Sequence, residues 1–97
     1  MIDLDEVYLT EIKHILFIHA PECEVWAFGS RVNGQARKYS DLDLVLVGNG
    51  PLDWRRIKAV KEAFSESDLP FMVDVLDWHA TSPEFRLVIE QKYELVK

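Results

Sequence analysis

The order of hydrophobic and polar residues predicts alternating helices and strands. Residues 5–19 carry apolar side chains at helical spacing and precede Pro21, so they should form the first helix. Residues 25–28 and 42–47 are short and apolar, and the turn-forming run at residues 48–51 follows the second of them. These two segments are therefore predicted to be central strands of one sheet.

The second half of the chain continues this alternation. Asp53 can cap a second helix, and residues 71–76 should form the third strand. Ser82 followed by Pro83 favours the start of the last helix, and residues 93–96 are predicted to be a short edge strand. The apolar residues expected on the inward face of the second helix are Trp54, Ile57, Val60 and Phe64.

Length and composition indicate one domain spanning residues 1–97. The predicted fold class is α/β (α+β), with helices packed on a small mixed β-sheet. A chain of this size buries somewhat over about 60% of its unfolded surface, enough for a modest core without disulfides. The single cysteine, Cys23, has no internal partner and no neighbouring base, so we expect it to be inert. No apolar stretch approaches about 18 residues and no secretory leader is visible, which predicts a cytoplasmic protein without a membrane span.

The charge balance restricts the partners that this protein can have. The net charge is -6, from 17 acidic and 11 basic residues, which argues against nucleic acid as a direct substrate. The basic residues form two local groups along the chain. The first group is Arg31, Arg37 and Lys38, and the second is Arg55, Arg56, Lys58 and Lys61. The second group is interpreted as a solvated helix face.

Two carboxylates, Asp41 and Asp43, are the strongest sign of chemistry. In an extended strand, residues two apart project from one face about 6.6 Å apart. Ionised carboxylates at about 6 Å repel by roughly 3 kcal/mol at an effective dielectric near 20, and a divalent cation would remove that cost. Asp41 could instead serve only a turn, but Asp43 lies inside an apolar run. Magnesium suits such hard oxygen ligands.

Further residues fit a magnesium and nucleotide site. Gly29 has no side chain to keep phosphate from the backbone, and Ser30 adds a hydroxyl at a turn that can open a short helix over residues 31–35. A third carboxylate, Asp74, is the polar residue of the apolar third strand. Asp77, three residues later, is the alternative candidate for this role.

Residues 29–44, GSRVNGQARKYSDLDL, resemble the signature of the DNA polymerase beta superfamily of nucleotidyltransferases. The chain is most similar to the minimal nucleotidyltransferases, over roughly residues 5 to 96. The resemblance implies a polymerase-beta-like fold. It also implies catalytic and metal-binding roles for Asp41, Asp43 and Asp74, and nucleotide-binding roles for Gly29, Ser30, Arg31, Arg37 and Ser40.

The same resemblance implies an activity and a partner. Such proteins transfer a nucleoside monophosphate, here AMP from ATP with two Mg²⁺ ions, to a hydroxyl. Minimal nucleotidyltransferases pair with small helical HEPN proteins as antitoxin and toxin, so a tyrosine of a HEPN partner is the expected acceptor. Two alternatives stay open: a binding module that masks its partner without catalysis, and transfer to a small aminoglycoside-like alcohol. Four large aromatic residues weakly favour a partner surface: Trp54, Trp78, Phe85 and Tyr93.

Overall fold

Helices and strands alternate through residues 2–97, the part of the chain that the computed structural model describes. The helices are α1 (Glu6–His19), α2 (Ser30–Asn33), α3 (Trp54–Ser65) and α4 (Pro83–Gln91), and a short 3₁₀ helix spans Trp78–Ala80. The strands are β1 (Glu24–Phe28), β2 (Leu42–Val47), β3 (Val73–Asp77) and β4 (Glu94–Leu95). The predicted order of elements is confirmed, and the 3₁₀ helix is an addition.

The four strands form one mixed sheet in the order β3-β2-β1-β4. β2 pairs antiparallel with β1 and parallel with β3, and β4 pairs antiparallel with β1. β2 therefore lies inside the sheet and β3 lies at its edge. This arrangement confirms the predicted mixed sheet. It brings the carboxyl end of β1 next to the amino ends of β2 and β3.

Each face of the sheet has its own apolar contacts. On one face, the buried leucines of β2 contact Ile12 and Leu16 of α1 and Val60 and Phe64 of α3. On the other face, Phe28 and Val45 cluster with Ile89 of α4. The apolar run of β2 is thus explained, because a strand covered on both faces needs apolar residues at successive positions.

The helix starts follow the capping signals in the sequence. The Asp53 side chain accepts a hydrogen bond from the backbone N–H of Arg55, and the Ser82 hydroxyl accepts one from Phe85. Both predicted caps are confirmed. The short helix predicted over residues 31–35 lies one to two residues earlier in the structure, because α2 begins at Ser30 and ends at Asn33.

The prediction that Trp54 points inward is wrong. Its side chain is 69% exposed, whereas Val60 and Phe64 on the same helix are buried. Trp54 is the first residue of α3, and the buried residues of this helix, Val60 and Phe64, lie farther along it, where it packs on the sheet. Helical spacing gave the right face but did not show where the contact with the sheet begins.

Membrane spanning was considered for the helices. Within residues 2–97, none of the helices combines the length and the apolar character needed to cross a bilayer. The cytoplasmic location stays a prediction.

The expectation that Cys23 is inert agrees with its position. Cys23 is buried, and burial raises the pKa of its thiol, which disfavours the reactive thiolate.

Candidate active site

The parallel pairing of β2 and β3 places Asp43 and Asp74 side by side. The two residues are register partners, just as Leu44 pairs with Val75. Neighbouring strands lie about 4.8 Å apart, and paired residues of a parallel ladder project from the same face. Asp43 is partly buried while Asp74 is exposed, so the carboxylate pair lies at the boundary between the sheet and solvent.

Asp41 completes a group of three carboxylates. It directly precedes β2 and is exposed, two residues before Asp43. The pKa of Asp43 is raised above its usual range, first by burial and then by the negative charges of Asp74 and Asp41. The charges of Asp74 and Asp41 therefore act on Asp43, in line with the repulsion that the sequence predicted between Asp41 and Asp43.

The geometry fits magnesium held jointly by protein and nucleotide rather than a closed metal cage. No three His, Cys, Asp or Glu side chains among residues 2–97 gather tightly enough to enclose an ion alone. Magnesium needs no such cage, because it commonly takes one or two carboxylates and completes its shell with water and substrate phosphates. The partly buried Asp43 and the two carboxylates that repel it provide the negative charge and the hard oxygen atoms that this ion requires.

Gly29 contacts the central carboxylate. Its backbone has φ 82° and ψ -157°, a region that is essentially restricted to glycine. A Cβ atom at this position would lie 2.4 Å from Oδ2 of Asp43. The same strand register explains the proximity, because Phe28 pairs with Asp43 at the end of β1. Gly29 and Ser30 thus bring the start of α2 directly against the carboxylate group.

Arg31 is buried and braces the loop that follows α2. The guanidinium donates hydrogen bonds to the backbone carbonyls of Ser40 (2.8 Å), Asp3 (2.9 Å) and Lys38 (3.2 Å). It also lies 4.4 Å from the ring centroid of Phe71. Arg31 is only 6% exposed, so its hydrogen bonds hold the loop from the interior of the protein. Direct contact between Arg31 and a phosphate stays a prediction.

Ser40 and Arg37 close the same loop from its outer side. The Ser40 hydroxyl accepts a hydrogen bond of 2.7 Å from the backbone N–H of Arg37. The side chains of Arg37 and Lys38 are exposed beside this contact. Of the predicted nucleotide-binding residues with basic side chains, Arg37 is therefore the one whose charge faces solvent, where a ligand can reach it.

Asp77, the alternative to Asp74, has a different position and different partners. Its two carboxylate oxygens accept hydrogen bonds from the backbone N–H groups of Leu52 (2.9 Å) and His79 (3.1 Å). Side chains alternate along a strand, so positions 74 and 77 face opposite sides of the sheet. Asp77 therefore caps the 3₁₀ helix and holds the segment at Leu52, and Asp74 is the carboxylate that joins Asp43. Alternation in the sequence shows that the two candidates face opposite sides, but the register with β2 is needed to tell which one joins Asp43.

Lys61 was missed as a neighbour of the site. It was grouped with the solvated basic face of α3, where Arg55 pairs with Asp53 and Lys58 with Glu62. Lys61 instead places its Nζ atom 3.9 Å from Oδ1 of Asp74. Helical spacing shows which side chains share a face, but it does not show which strand lies beside that face.

The family described as "Polymerase beta, Nucleotidyltransferase" matches residues 10–97. This chain belongs to that nucleotidyltransferase family. The match confirms the family predicted from the Gly-Ser and Asp-x-Asp elements. Proteins of the family act on nucleotide substrates, usually with a divalent metal, which agrees with the carboxylate group described above.

Relatives extend the match over nearly the whole chain. A protein of Haemophilus influenzae (strain ATCC 51907 / DSM 11121 / KW20 / Rd), named "Probable protein adenylyltransferase MntA", is 49% identical over 96 residues, covering 99% of this chain and 84% of the relative. This nucleotidyltransferase chain thus has a curated relative with an assigned activity.

Solved structures confirm the fold. A mutant of the toxin-antitoxin MntA-HpeT matches with a TM-score of 0.77 and 18% identity, over 92% of this chain and 72% of the other. A tri-AMPylated Shewanella oneidensis HEPN toxin in complex with MNT antitoxin matches with a TM-score of 0.65 and 17% identity, over 97% and 72%. At these identities the likeness concerns the fold.

Proposed function

We propose that this protein transfers AMP from ATP to a tyrosine hydroxyl of a HEPN-type partner and thereby acts as an antitoxin. The observation that carries the proposal is the pairing of Asp43 with Asp74, with Gly29 packed against the Asp43 carboxylate. The relative from Haemophilus influenzae, named a probable protein adenylyltransferase, supports a protein as the acceptor. The solved complex of an AMPylated HEPN toxin with an MNT antitoxin supports the nature of the partner.

The carboxylates divide the work in this proposal. Asp41 and Asp43 would hold two magnesium ions together with Asp74. When bound, the metal would neutralise the triphosphate and the charge that develops on it. The tyrosine oxygen forms a bond to the α-phosphorus while the bond from that phosphorus to the bridging oxygen of the β-phosphate breaks. Asp74 receives the phenolic proton, and pyrophosphate leaves. The products are the AMP-tyrosine ester and pyrophosphate.

The nucleotide is held by the turn at Gly29 and by the loop that follows α2. Gly29 lets phosphate oxygens approach the backbone, and Ser30 contributes its hydroxyl and amide. Arg37 is exposed at the loop and supplies positive charge to the phosphates. Arg31 and Ser40 act mainly by fixing the loop through the hydrogen bonds they already make.

Aromatic residues on the surface outside the site support a protein partner. Trp54, Phe85 and Tyr93 are large hydrophobic residues that remain exposed. Trp78 is partly buried against the edge of the Trp26 ring, with centroids 5.1 Å apart. Exposed aromatic side chains are enriched at protein interfaces.

Intact-mass spectrometry of the partner protein tests the proposal. A small helical HEPN-type protein is incubated with this protein, magnesium and each of the four ribonucleoside triphosphates. We expect a mass gain of one or more AMP groups with ATP, and none with the Asp41→Ala/Asp43→Ala variant. A stable complex without any mass gain would overturn catalysis and leave masking of the partner as the function.

A further inference from the structure

Tyr39 lies on the loop between α2 and β2, two residues before Asp41. Its side chain is 63% exposed, and within residues 2–97 its hydroxyl has no hydrogen-bond partner. Together with Asp41 and Asp74 it lines an open groove of about 720 Å³ between α3 and the segment that enters β3. A free phenolic hydroxyl of this chain therefore shares one groove with two acids of the carboxylate group.

Arg31 fixes the backbone on both sides of Tyr39. Its guanidinium donates hydrogen bonds to the carbonyl groups of Lys38 (3.2 Å) and Ser40 (2.8 Å), the two residues that flank Tyr39. Two residues of chain span at most about 7 Å, so the α-carbons of Tyr39 and Asp41 lie within that distance. A tyrosine side chain is about as long, so its hydroxyl can reach the carboxylate group while the backbone stays in place. Such intramolecular placement removes much of the cost of bringing two reactants together.

The other two tyrosines of the chain have different surroundings. Tyr8 on α1 meets the Phe71 ring edge-on, with centroids 5.8 Å apart. Tyr93 stacks on Trp26 next to the edge strand β4, with centroids 4.3 Å apart. Neither of them lines the groove beside the carboxylate group. Tyr39 is therefore the tyrosine of this chain that has access to the acids.

We propose that Tyr39 is a modification site, to which the protein transfers AMP from ATP within the same chain. The inference rests on the proposed nucleotidyl transfer and adds an acceptor that belongs to the enzyme itself. The phenolic oxygen of Tyr39 forms a bond to the α-phosphorus, and the bond from that phosphorus to the bridging oxygen of the β-phosphate breaks. Asp74 takes up the phenolic proton and pyrophosphate leaves, so Tyr39 becomes a phosphodiester of AMP.

Basic side chains beside Tyr39 suit the charge of this product. The new phosphodiester carries a negative charge close to the carboxylate group, which repels it. Nζ of Lys38 lies 5.3 Å from the centroid of the Tyr39 ring, and the side chain of Arg37 is exposed on the same loop. These two cations offset the repulsion, so the loop can hold the modified side chain.

Intact-mass spectrometry of this protein, incubated alone with magnesium and ATP, tests the proposal. We expect a mass gain of one AMP group per chain, and fragmentation of the modified wild-type chain should place that group on Tyr39. Tyr39→Phe keeps the ring and removes the hydroxyl, so it should gain no mass. Tyr8→Phe and Tyr93→Phe are the matched controls and should gain as much as wild type. AMP found on another residue, or a mass gain by Tyr39→Phe, would overturn the proposal.

A mixture of two variants tests whether the transfer stays within one chain. The Asp41→Ala/Asp43→Ala chain keeps Tyr39 but lacks two of the acids, whereas the Tyr39→Phe chain keeps the acids but lacks the acceptor. The two chains differ in mass and are incubated together with magnesium and ATP. We expect neither chain to gain AMP, because each lacks one part of the shared groove. AMP on the Asp41→Ala/Asp43→Ala chain would mean transfer between chains and would refute the proposal.

A HEPN-type partner added to the wild-type reaction lets the two proposals fail separately. AMP on Tyr39 without AMP on the partner would support the modification site and refute the proposed function. AMP on the partner with an unmodified Tyr39 would support the function and refute the modification site. AMP on neither protein would overturn both.

Discussion

The α-carbon of Gly29 lies so close to the Asp43 carboxylate that an added Cβ atom would be 2.4 Å from Oδ2. This contact joins the end of β1 to the middle acid of the carboxylate group through the β1–β2 register, in which Phe28 pairs with Asp43. The glycine is therefore required twice, once by its positive φ and once by the space that Asp43 occupies.

Gly29→Ala should remove activity more strongly than it removes stability. The backbone conformation costs an L-residue about 1–3 kcal/mol, and the new methyl group must also displace the Asp43 carboxylate. We expect nucleotidyl transfer to fall roughly 100-fold or more, since a misplaced catalytic group commonly costs that much. Transfer rate and urea denaturation, measured on the same preparation, check this.

Gly34→Ala is the matched control for that substitution. Gly34 also has a positive φ, 84°, but a Cβ atom there would meet nothing within 4 Å. We expect a loss of about 1–2 kcal/mol in the free energy of unfolding with activity within about threefold of wild type. Equal loss of activity in both variants would mean that backbone strain, and not the contact with Asp43, causes the effect.

Asp43→Asn should change how stability depends on pH. The folded pKa of Asp43 is raised, so the folded state binds more protons between the unfolded and folded pKa values, and stability falls as pH rises through that window. In metal-free buffer at pH 7 the variant should therefore melt at a higher temperature than wild type. Below about pH 3.9, the usual Asp pKa, the difference should vanish.

Magnesium and ATP provide a second readout for Asp43→Asn. A ligand that binds only the folded state raises its melting temperature. We expect magnesium with a non-hydrolysable ATP analogue to stabilise wild type and to have little effect on the variant. An Asp43→Asn protein that is markedly less stable than wild type at pH 7 would contradict a metal-binding role for this carboxylate.

Asp74→Asn and Asp77→Ala should separate catalysis from structure. Asp74 is exposed and paired with Asp43, so its substitution should lower transfer roughly 100-fold or more with the fold unchanged. Asp77 accepts two backbone hydrogen bonds, and its removal leaves two partly buried donors without that partner, at a cost on the order of 2 kcal/mol. Single-turnover rates measure the loss of transfer expected for Asp74→Asn, and thermal melting measures the loss of stability expected for Asp77→Ala. Loss of transfer in folded Asp77→Ala protein with normal Asp74→Asn would reverse the assignment.

Arg31→Ala should unfold the loop more than it weakens nucleotide binding. The guanidinium bonds three backbone carbonyls, and we expect a loss on the order of 3 kcal/mol in the free energy of unfolding. Arg37→Ala should stay within about 0.5 kcal/mol, because its side chain is exposed. It should instead raise the ATP KM. The assignment is wrong if Arg31→Ala is stable and only the ATP KM changes.

Local signals predicted the elements well because each depends on nearby residues. Asp53 and Ser82 cap helices as expected, and the apolar run at residues 42–47 is β2. Where the prediction depended on distance along an element, it was less accurate. Trp54 shares the helical face of Val60, yet it remains exposed at the beginning of α3.

The sequence by itself determined the candidate acids, the glycine turn and the family, because residue type and spacing along one strand carry that information. Only the tertiary structure decided which acid completes the pair and what Arg31 does. Parallel pairing of β2 with β3 brings Asp74, and not Asp77, beside Asp43, and the packing of α3 against β3 brings Lys61 near Asp74. Residues this far apart in the chain meet through strand register and packing, which no local spacing specifies.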